Sequence, residues 1–371
     1  MAPLRSLTVV GTGLIGASVG LAACRAGVER VTGWDPDAAH LATAAERGAV
    51  EPAADLAAAL EGAELAVVAA PVTALPAQVR AVLDASGPDC TVTDVGSTKG
   101  SVCAAAGGEG RFIGGHPICG SEARGPAHAT ADIFEGATWF LTPVATSAPE
   151  QYKLVHDFVA ALGAVPVAID PEAHDRLVAV TSHLPHVLAN VLLNQTGAAR
   201  VDGHDLLTAA GGSFRDMTRV AGANPRMWVD IFLENAEAVR DALAEHRRRI
   251  EQVEGALAAG DAGFLARWIG EAAVNRRSML ATAHSDPGEL QRLRVHVPDR
   301  PGVLAGITQA LGAARINIEE FDLQHMSPER GGTLNILVTG EREAERAAAL
   351  LESQGYGVVI APVLDDSDGD E

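Results

Sequence analysis

One short stretch of the chain carries the side chain best suited to move a proton near neutral pH. Residues 112–122 read Phe-Ile-Gly-Gly-His-Pro-Ile-Cys-Gly-Ser-Glu, so that His116 follows two glycines and precedes Pro117. These neighbours predict a stiff, tightly turned backbone that a ligand can approach closely. Imidazole at such a place suits a general base, because its pKa lies close to physiological pH. The alternative is a loop histidine that only caps a strand, and this stretch alone favours neither.

A glycine-rich loop near the start of the chain has the G-x-G-x-x-G spacing of a dinucleotide site. The loop follows a short apolar strand pattern and opens a helical pattern, which is the context that this fingerprint requires. The first glycine would make the turn, the second would admit a pyrophosphate, and the third would let the helix pack on the strand. The residues predicted to contact the dinucleotide here are Gly11, Thr12, Gly13, Leu14, Ile15, Gly16 and Asp35.

The acid in that set, Asp35, ends the second strand pattern at residues 30–34. A carboxylate at this place accepts ribose hydroxyls and opposes a 2′-phosphate, so we predict NAD rather than NADP as the cofactor. The alternative is a glycine-rich turn between strand and helix that binds no cofactor.

Further strand patterns end in small or polar residues that would meet the same edge of the sheet. Residues 65–71 end in Ala70 and Pro71, and residues 91–95 lead into Asp-Val-Gly-Ser-Thr-Lys at 94–99. Because ligands of doubly wound sheets bind at the carboxyl ends of the strands, Ala70, Pro71 and Ser97 are predicted cofactor contacts. Lys99 could contact a ligand there or be an exposed residue at a helix start.

Composition and charge restrict the class of partner. The chain has 371 residues, 47% of them hydrophobic, with a formal net charge of −20 and a mean hydropathy of +0.13. This charge argues against nucleic acid and anionic membranes, both of which require clustered Lys and Arg. An anionic substrate would have to be held by local arginines. The acidic run at residues 365–371 is predicted to be a disordered tail.

Targeting signals and cysteines point to a reducing compartment. The sequence has no uninterrupted apolar run long enough to span a membrane, and its first strand begins too early to leave room for a signal peptide. Its four cysteines form no C-x-x-C pair, which favours neither zinc nor a disulfide framework. We therefore predict a cytoplasmic protein.

Between residues 172 and 284 strand alternation disappears and apolar residues recur at helical spacing. His183 and His186 flank Pro185 in this region, but no third ligand of fitting spacing is visible, so we predict no metal site. The alternative for both imidazoles is packing at a helix end. A largely apolar helical domain of this size predicts burial against a second copy, and hence a homodimer.

The predicted fold class is α/β. It comprises a Rossmann-type doubly wound sheet at residues 1–171, an all-helical domain at 172–284 and a ferredoxin-like α+β domain at 290–364. The last domain is predicted from a βαββαβ order after a linker at 285–288. Its predicted elements are strands at 290–297, 316–324, 333–339 and 358–363 and helices at 301–314 and 341–354.

Five motifs occur in one order over residues 5–283, and together they resemble the prephenate/arogenate dehydrogenase family of tyrosine biosynthesis. They are the glycine loop, Asp-Val-Gly-Ser-Thr-Lys at 94–99, Gly-Gly-His-Pro-Ile-Cys-Gly-Ser-Glu at 114–122, Ser-His-Leu-Pro-His at 182–186 and Arg-Asp-Met-Thr-Arg at 215–219. Residues 299–304 and 316–318 are similar to an ACT domain, an amino-acid-sensing module that some members carry at this end.

The resemblance implies a role for each matching residue. His116 matches the catalytic base, and Ser97 matches a residue that hydrogen-bonds this histidine and the nicotinamide or the substrate hydroxyl. Arg219 matches the arginine that grips a substrate carboxylate, a task that suits its two-pronged donor geometry. His186 matches a second histidine on the substrate side, and Glu122 an acid that gates the pocket mouth. The remaining implied substrate contacts are His183, Ser121 and Asp216, and the implied regulatory residues are Asp299, Pro301, Gly302 and Asn317.

The expected activity is the NAD-dependent oxidative decarboxylation of prephenate to 4-hydroxyphenylpyruvate. Arogenate dehydrogenase is the near alternative, since one sequence cannot show whether the pocket accepts a keto group or an amine. A hydroxy-acid or imine dehydrogenase would need a catalytic lysine on the helical domain, where no candidate is visible. A catalytically silent amino-acid-sensing protein would have lost the histidine or the glycine loop, and both are intact. Tyrosine or phenylalanine is the expected ACT ligand.

Overall fold

The computed structural model describes residues 4–119, 123–281, 289–327 and 331–363. The chain forms two compact units, residues 1–247 and 248–371, and the boundary falls within the helix Ala236–Ala259. The predicted linker at 285–288 and the acidic tail at 365–371 lie outside the described residues. The division into domains at 1–171, 172–284 and 290–364 stays a prediction.

The first unit alternates strands and helices and then becomes helical. Its strands are β1 Ser6–Val10, β2 Arg30–Trp34, β3 Glu51–Pro52, β4 Leu65–Val68, β5 Thr91–Asp94, β6 Phe112–Pro117, β7 Thr138–Thr142, β8 Val165–Ala168, β9 Arg200–Val201 and β10 His204–Asp205. The helices that begin in it are α1 Leu14–Arg25, α2 Ala38–Glu46, α3 Leu56–Leu60, α4 Leu75–Ala85, α5 Gly100–Ala105, α6 Pro149–Ala161, α7 Pro171–Val178, α8 Leu184–Ala198, α9 Gly212–Thr218, α10 Pro225–Glu234 and α11 Ala236–Ala259.

Eight of these strands form one sheet, in the order β3-β2-β1-β4-β5-β6-β7-β8. The strands from β3 to β6 are parallel, whereas β7 pairs antiparallel with β6 and β8 follows the direction of β7. Every residue of β1 and β4 is buried, as expected for central strands covered by helices on both faces. The strand order reverses between β1 and β4, which opens a crevice at their carboxyl ends. The predicted Rossmann-type sheet is confirmed.

Helices α7 and α8 are joined by a π-helical turn, Ala179–His183, and form one continuous helix over Pro171–Ala198. Pro185 has no N–H and its ring crowds the carbonyl of the preceding turn, which accounts for the wider turn at this place. By length and composition alone this helix could cross a membrane, with a mean hydropathy of 1.3 over its most apolar window. A single helix of this kind is weak evidence for a membrane span. This one also carries the buried polar side chains His174 and His183.

The helical region departs from the prediction in one place, where β9 and β10 form a hairpin. The two turn residues, Asp202 and Gly203, both have positive φ, 49° and 82°. Two such residues make the type I′ turn that joins adjacent strands most readily, and Asp-Gly is a preferred sequence for it. The strands are two residues long, so their side-chain alternation is too short to be seen in the sequence.

The second unit contains the rest of α11, then α12 Ala262–Ala281 and a four-stranded antiparallel sheet. The further elements are β11 Leu290–Val297, α13 Val303–Ala313, β12 Glu320–Ser327, β13 Gly331–Thr339, α14 Glu341–Ser353 and β14 Gly357–Pro362. The strand order β12-β13-β11-β14 and the βαββαβ sequence confirm the predicted ferredoxin-like fold. Its apolar core lies between helices α13 and α14 and one face of the sheet.

The second strand of this sheet begins later than predicted, at Glu320 rather than at residue 316. Arg315 has a positive φ of 57°, and the Ile316 N–H donates to the Leu311 carbonyl at 3.0 Å, so this segment ends the preceding helix. Ile316 lies in the connection between α13 and β12, and its side chain is buried in the core. It is apolar because it packs there, and the sequence pattern mistook it for a strand residue.

Candidate active site

The glycine loop has the geometry of a dinucleotide cradle. A β-carbon on Gly11, where φ is +95°, would lie 2.3 Å from the Ala69 carbonyl oxygen, and one on Gly16 would lie 1.9 Å from the Gly11 carbonyl oxygen. These two glycines therefore allow strand, loop and helix to pack against one another. A β-carbon on Gly13 would meet nothing within 4 Å. This glycine precedes α1, so the open space lies against the helix N-terminus, where backbone N–H groups favour an anion.

Asp35 lies at the edge of this cradle and is tied to it. Its carboxylate accepts hydrogen bonds from the Thr12 N–H at 2.5 Å and the Thr12 hydroxyl at 3.1 Å, and its other oxygen accepts from the Asp37 N–H at 2.8 Å. The side chain is partly exposed and keeps acceptor capacity for a ribose hydroxyl. Ala70 and Pro71 follow β4 at the same edge of the sheet. The described residues therefore fit a dinucleotide at this place.

A buried ion pair joins the ends of β5 and β6. Lys99 has no exposed surface, and its ammonium donates to the Asp94 carboxylate and to the Gly115 carbonyl oxygen, the latter at 2.7 Å. Asp94 in turn accepts from the Gly96 N–H at 2.8 Å and the Gly115 N–H at 3.0 Å. Lys99 is thus neither an exposed helix-start residue nor a residue facing the crevice. Together the pair fixes the loop that carries Ser97 and the strand that carries His116.

His116 belongs to a chain of hydrogen bonds that the sequence analysis missed. Its Nδ1 lies 2.9 Å from Nε2 of His174, and Nδ1 of His174 lies 2.8 Å from Oδ1 of Asp175. His174 is fully buried at the start of α7. Burial lowers the pKa of His116 well below its usual 6.5, and the nearby His174, Lys99 and His183 lower it further. The imidazole is therefore neutral near pH 7, the state in which it can accept a proton.

Asp175 anchors the far end of this chain. Its carboxylate accepts from the Lys99 N–H at 2.8 Å and the Gly100 N–H at 2.7 Å, at the start of α5. Burial alone would raise the pKa of Asp175, but the hydrogen bonds from His174, Gly100 and Lys99 outweigh burial and hold this pKa below its usual value. No sequence motif marked His174 or Asp175, because their partners lie about 58 and 75 residues away in the chain.

A second group of side chains, on the helices, surrounds Trp228. The His186 ring stacks on Trp228 with ring centroids 3.5 Å apart, and the His183 ring meets Trp228 edge-on at 6.0 Å. Nδ1 of His183 lies 3.2 Å from the Asn235 amide nitrogen, which also donates to the Asp175 carbonyl oxygen at 2.8 Å. Asn235 therefore connects this group to the histidine chain, and it is a further residue that the sequence analysis missed.

His183 and His186 differ in whether their Nδ1 atom has a hydrogen-bond partner. Burial lowers the pKa of His183 to about 4, although Asp175 opposes this change. Burial also lowers the pKa of His186, with a further contribution from the positive charge of Arg219. Nδ1 of His186 is buried and makes no hydrogen bond to any residue that the structure describes. A buried polar atom without a partner is costly, so this nitrogen is a candidate to bind a ligand.

Arg219 follows α9 as its C-terminal capping residue, with its side chain exposed. Its charge acts on His186, so the structure brings these two predicted substrate contacts together. Asp216 lies within α9 with an exposed side chain. Ser97 is partly buried beside the ion pair, but among the described residues the side-chain partner of His116 is His174 rather than Ser97.

The other predicted residues lie elsewhere. Ser121 and Glu122 are outside the described residues. The four predicted regulatory residues belong to the second unit, where Gly302 caps α13 with a φ of +88° that only glycine adopts without strain. The Asn317 amide donates to the Glu319 carboxylate at 2.7 Å. Asp299 and Pro301 lie in the exposed loop between β11 and α13.

Comparison with known families gives three matches in chain order. The prephenate dehydrogenase nucleotide-binding domain matches residues 19–168, and the prephenate dehydrogenase dimerization domain matches residues 170–271. The ACT domain matches residues 291–355.

Individual relatives agree with these matches. The chain is 30% identical over 356 residues to the prephenate dehydrogenase of Bacillus subtilis, with 94% of this chain and 96% of the relative covered. Cyclohexadienyl dehydrogenase of Zymomonas mobilis is 31% identical over 234 residues, with 62% of this chain and 80% of the relative covered.

Two solved structures are each similar to 74% of the chain. Prephenate dehydrogenase from Aquifex aeolicus, in complex with hydroxyphenyl propionate and NAD⁺, gives a TM-score of 0.70 at 28% identity and covers 74% of this chain and 98% of its own. Synechocystis arogenate dehydrogenase gives a TM-score of 0.68 at 29% identity and covers 74% of this chain and 100% of its own.

Proposed function

The chain belongs to the prephenate dehydrogenase family, and we propose that it catalyses the NAD-dependent oxidative decarboxylation of prephenate to 4-hydroxyphenylpyruvate. It has the family's nucleotide-binding domain, and NAD is its cofactor. The observation that carries the proposal is the neutral, hydrogen-bonded His116 on β6, at the edge of the sheet that bears the glycine loop. Family membership assigns the enzyme to tyrosine biosynthesis.

The reaction requires a base beside the ring carbon that loses hydride. Prephenate carries a hydroxyl on that carbon, and carbon dioxide leaves as the ring becomes aromatic. When bound, NAD⁺ supplies the acceptor for the hydride. The lowered pKa of His116 keeps its imidazole unprotonated near pH 7, so that it can take the proton of the hydroxyl as the hydride leaves. A proton returns to the same oxygen when the loss of carbon dioxide makes the ring aromatic and leaves a phenolate. Backbone N–H groups at the start of α1 would hold the pyrophosphate and Asp35 the ribose hydroxyls.

Arg219 and His186 bind the substrate prephenate, which is a dianion. The net charge of −20 repels an anionic substrate at long range, so the pocket needs a local cation. Arg219 supplies it with two parallel donors for a carboxylate. The unpartnered Nδ1 of His186 lies within the influence of the Arg219 charge and supplies a further polar contact. Trp228 holds the His186 ring in place by stacking.

The other matching residues receive proposed roles from family resemblance. Ser97 contacts the nicotinamide or the substrate hydroxyl from a loop that the Asp94–Lys99 pair holds in place. Asp216 orients the cationic side of the pocket, and His183 is a substrate contact whose ring also lies edge-on to Trp228. Ser121 contacts the substrate and Glu122 controls the pocket entrance.

The other two family matches support proposals about assembly and regulation. The dimerization domain supports a homodimer, and its helices expose large apolar side chains that a second copy would cover. The ACT domain supports control by an aromatic amino acid through the loops that carry Asp299, Pro301, Gly302 and Asn317. The domains are proposed at 1–171, 172–284 and 290–364. The enzyme is proposed to act in the cytoplasm.

Arogenate is the second candidate substrate, because the arogenate dehydrogenase of Synechocystis is as similar as the prephenate enzyme of Aquifex, with TM-scores of 0.68 and 0.70. The hydroxy-acid and imine alternatives are not supported. The chain has only two lysines, Lys99 and Lys153, so its helical region contains none. Lys99 is buried in its ion pair.

The test compares both substrates under identical conditions. Purified protein is given prephenate or arogenate with NAD⁺ or NADP⁺, with and without tyrosine, and NADH or NADPH formation is followed. The proposal expects turnover of prephenate with NAD⁺. Turnover of arogenate alone would keep the mechanism and replace the substrate, whereas no turnover of either would overturn the proposed function. A change of rate with tyrosine would support the regulatory role of the ACT domain.

A further inference from the structure

When both imidazoles are neutral and Asp175 is ionised, the hydrogen bonds behind His116 allow only one arrangement of hydrogens. The chain runs from His116 Nδ1 to His174 Nε2 at 2.9 Å and from His174 Nδ1 to Asp175 Oδ1 at 2.8 Å. Oxygen atoms of the Asp175 carboxylate also accept the N–H groups of Lys99 and Gly100. Asp175 is therefore engaged as an acceptor on both oxygens, and these hydrogen bonds hold its pKa below the usual value, so the group is an ionised carboxylate that only accepts.

The direction of each bond follows from this end. Since Asp175 only accepts, Nδ1 of His174 carries a hydrogen. In neutral His174 the other nitrogen, Nε2, then has the lone pair and accepts from His116. The hydrogen of neutral His116 consequently lies on Nδ1, and its lone pair lies on Nε2. We propose that His174 is a positioning residue that fixes His116 in this tautomer and so directs its basic nitrogen toward the substrate.

This inference rests on the proposed dehydrogenase function, because it assigns the task of His174 within that reaction. Imidazole in water prefers the opposite tautomer, with the hydrogen on Nε2, in which Nε2 could not accept a proton. Without an acceptor near Nδ1, a fraction of the enzyme molecules would carry the His116 hydrogen on Nε2 and the lone pair on Nδ1, away from the substrate. The dyad of His174 and Asp175 thus plays the part that a carboxylate plays behind the base in other enzymes.

The same arrangement stabilises the protonated state of the base. When His116 takes the substrate proton it becomes a cation, and its Nδ1–H then donates more strongly to His174. The charged and titratable groups around it are Lys99 at the start of α5, Asp94 on β5, Asp175 on α7 and His183 on the π-helical turn. Lys99 is paired with Asp94, and the Asp175 carboxylate accepts from the far nitrogen of His174, so a negative charge lies behind the imidazole that contacts this cation.

Two variants of His174 separate positioning from structural support. Both His174→Leu and His174→Gln remove the imidazole that donates to Asp175, so both lose the same structural bond. Only His174→Gln retains an acceptor, its side-chain carbonyl oxygen, near the place of Nε2. We expect His174→Leu to lower kcat on prephenate by about 10²-fold, with an unchanged KM for NAD⁺, and His174→Gln to recover most of that loss.

The pH profile gives a second readout. Both variants remove the His174 imidazole, whose own effect on the pKa of His116 is therefore lost in each, so they differ only in the acceptor that His174→Gln retains. Loss of that acceptor makes protonated His116 less stable, so the acidic limb of kcat/KM should lie at lower pH in His174→Leu than in His174→Gln. Equal losses in the two variants, or wild-type kinetics in His174→Leu, would overturn the proposal. The thermal unfolding of both variants is measured in parallel, since a structural role alone would destabilise both and affect their activity equally.

A measurement on the unaltered protein remains informative even if the variants do not fold. Neutron diffraction from perdeuterated crystals locates the deuterium on each imidazole. The proposal expects deuterium on Nδ1 of His116 and on Nδ1 of His174, and deuterium on Nε2 of His116 would overturn it. This result does not depend on any substrate. A failure of the proposed function would instead be seen as the absence of turnover by the wild-type enzyme.

Discussion

The glycine loop and the histidine chain lie along the same edge of one sheet, but they are built in different ways. The loop is local: Gly11, Gly13 and Gly16 lie within six residues, and what matters is the backbone and the space around it. The histidine chain joins side chains from β6 and α7 across 58 residues. We therefore expect changes in the loop to affect cofactor binding and changes in the chain to affect the reaction of bound substrate.

This difference gives each region its own signature under substitution. Changes in the loop should alter NAD⁺ affinity and leave the chemical step intact. Changes in the histidine chain and the ion pair beneath it should alter kcat or stability and leave NAD⁺ affinity intact. A loop variant that slows the chemical step, or a histidine-chain variant that weakens NAD⁺ binding, would show that the two regions do not work separately.

The largest effect is expected from His116→Asn, which removes the base and keeps a polar side chain of similar size. Turnover of prephenate should fall about 10²- to 10⁴-fold, the range that a positioned general base contributes. The Kd for NAD⁺, measured by calorimetric titration, should remain unchanged because the cradle is untouched. A parallel loss of NAD⁺ affinity would show that His116 supports the cofactor site instead.

Removing one partner of the buried ion pair should produce the next largest effect. Lys99→Met leaves the Asp94 carboxylate buried without its cation, and the free energy of unfolding should fall by about 3–5 kcal/mol. Lys153→Met is the matched control, since Lys153 pairs with Asp157 on an exposed helix surface and should cost no more than about 1 kcal/mol. Equal denaturation midpoints for the two variants would contradict the role given to the buried pair.

Arg219→Ala should weaken substrate binding. Loss of the cation leaves a substrate carboxylate without its charged donor, so KM for prephenate should rise about 10- to 100-fold. Steady-state kinetics at several NAD⁺ concentrations would separate this rise from any effect on the cofactor. An unchanged KM would place the substrate carboxylate elsewhere.

The loop offers its own matched pair of variants. Gly13→Ala places a methyl group in open space, so thermal stability should stay near that of the wild type, whereas the Kd for NAD⁺ should rise about 10-fold as the methyl group meets the pyrophosphate. Gly16→Ala drives a methyl group into the Gly11 carbonyl and should lower stability by about 1–3 kcal/mol or more. Wild-type NAD⁺ affinity in Gly13→Ala would place the pyrophosphate away from this glycine.

The smallest effect concerns pH. A general base must be neutral, and the pKa of His116 is held well below 6.5, chiefly by burial. As pH falls through 6.5, kcat/KM for prephenate should therefore stay constant and decline only at more acidic pH. A pH series with wild-type enzyme tests this expectation, and a decline centred on 6.5 would indicate a base with an ordinary pKa.

The sequence predicted the features that neighbouring residues determine. The glycine spacing, the acid after the second strand and the alternation of strands and helices all arise from contacts within one βα unit, and the Rossmann-type sheet that they predicted was confirmed. The ferredoxin-like order was predicted for the same reason. Family resemblance added His116, His186 and Arg219, which local patterns alone left open.

The features that the sequence did not predict depend on distant partners. Nothing near Lys99 indicates burial, because its anion and its carbonyl partner meet it only when β5 and β6 pair. His174 looks like an ordinary residue in the first turn of a helix, and only the folded chain brings it to His116. The late start of β12 was missed because Ile316 is apolar for a packing reason unrelated to a strand.

The most direct test of the account measures the products of one reaction. Wild-type protein and His116→Asn are each given prephenate and NAD⁺, and NADH, carbon dioxide and 4-hydroxyphenylpyruvate are measured over time. We expect equal amounts of all three products from the wild type and almost none from the variant, which should still bind NAD⁺ normally. Product formation by His116→Asn at the wild-type rate would contradict the assignment of His116 as the base.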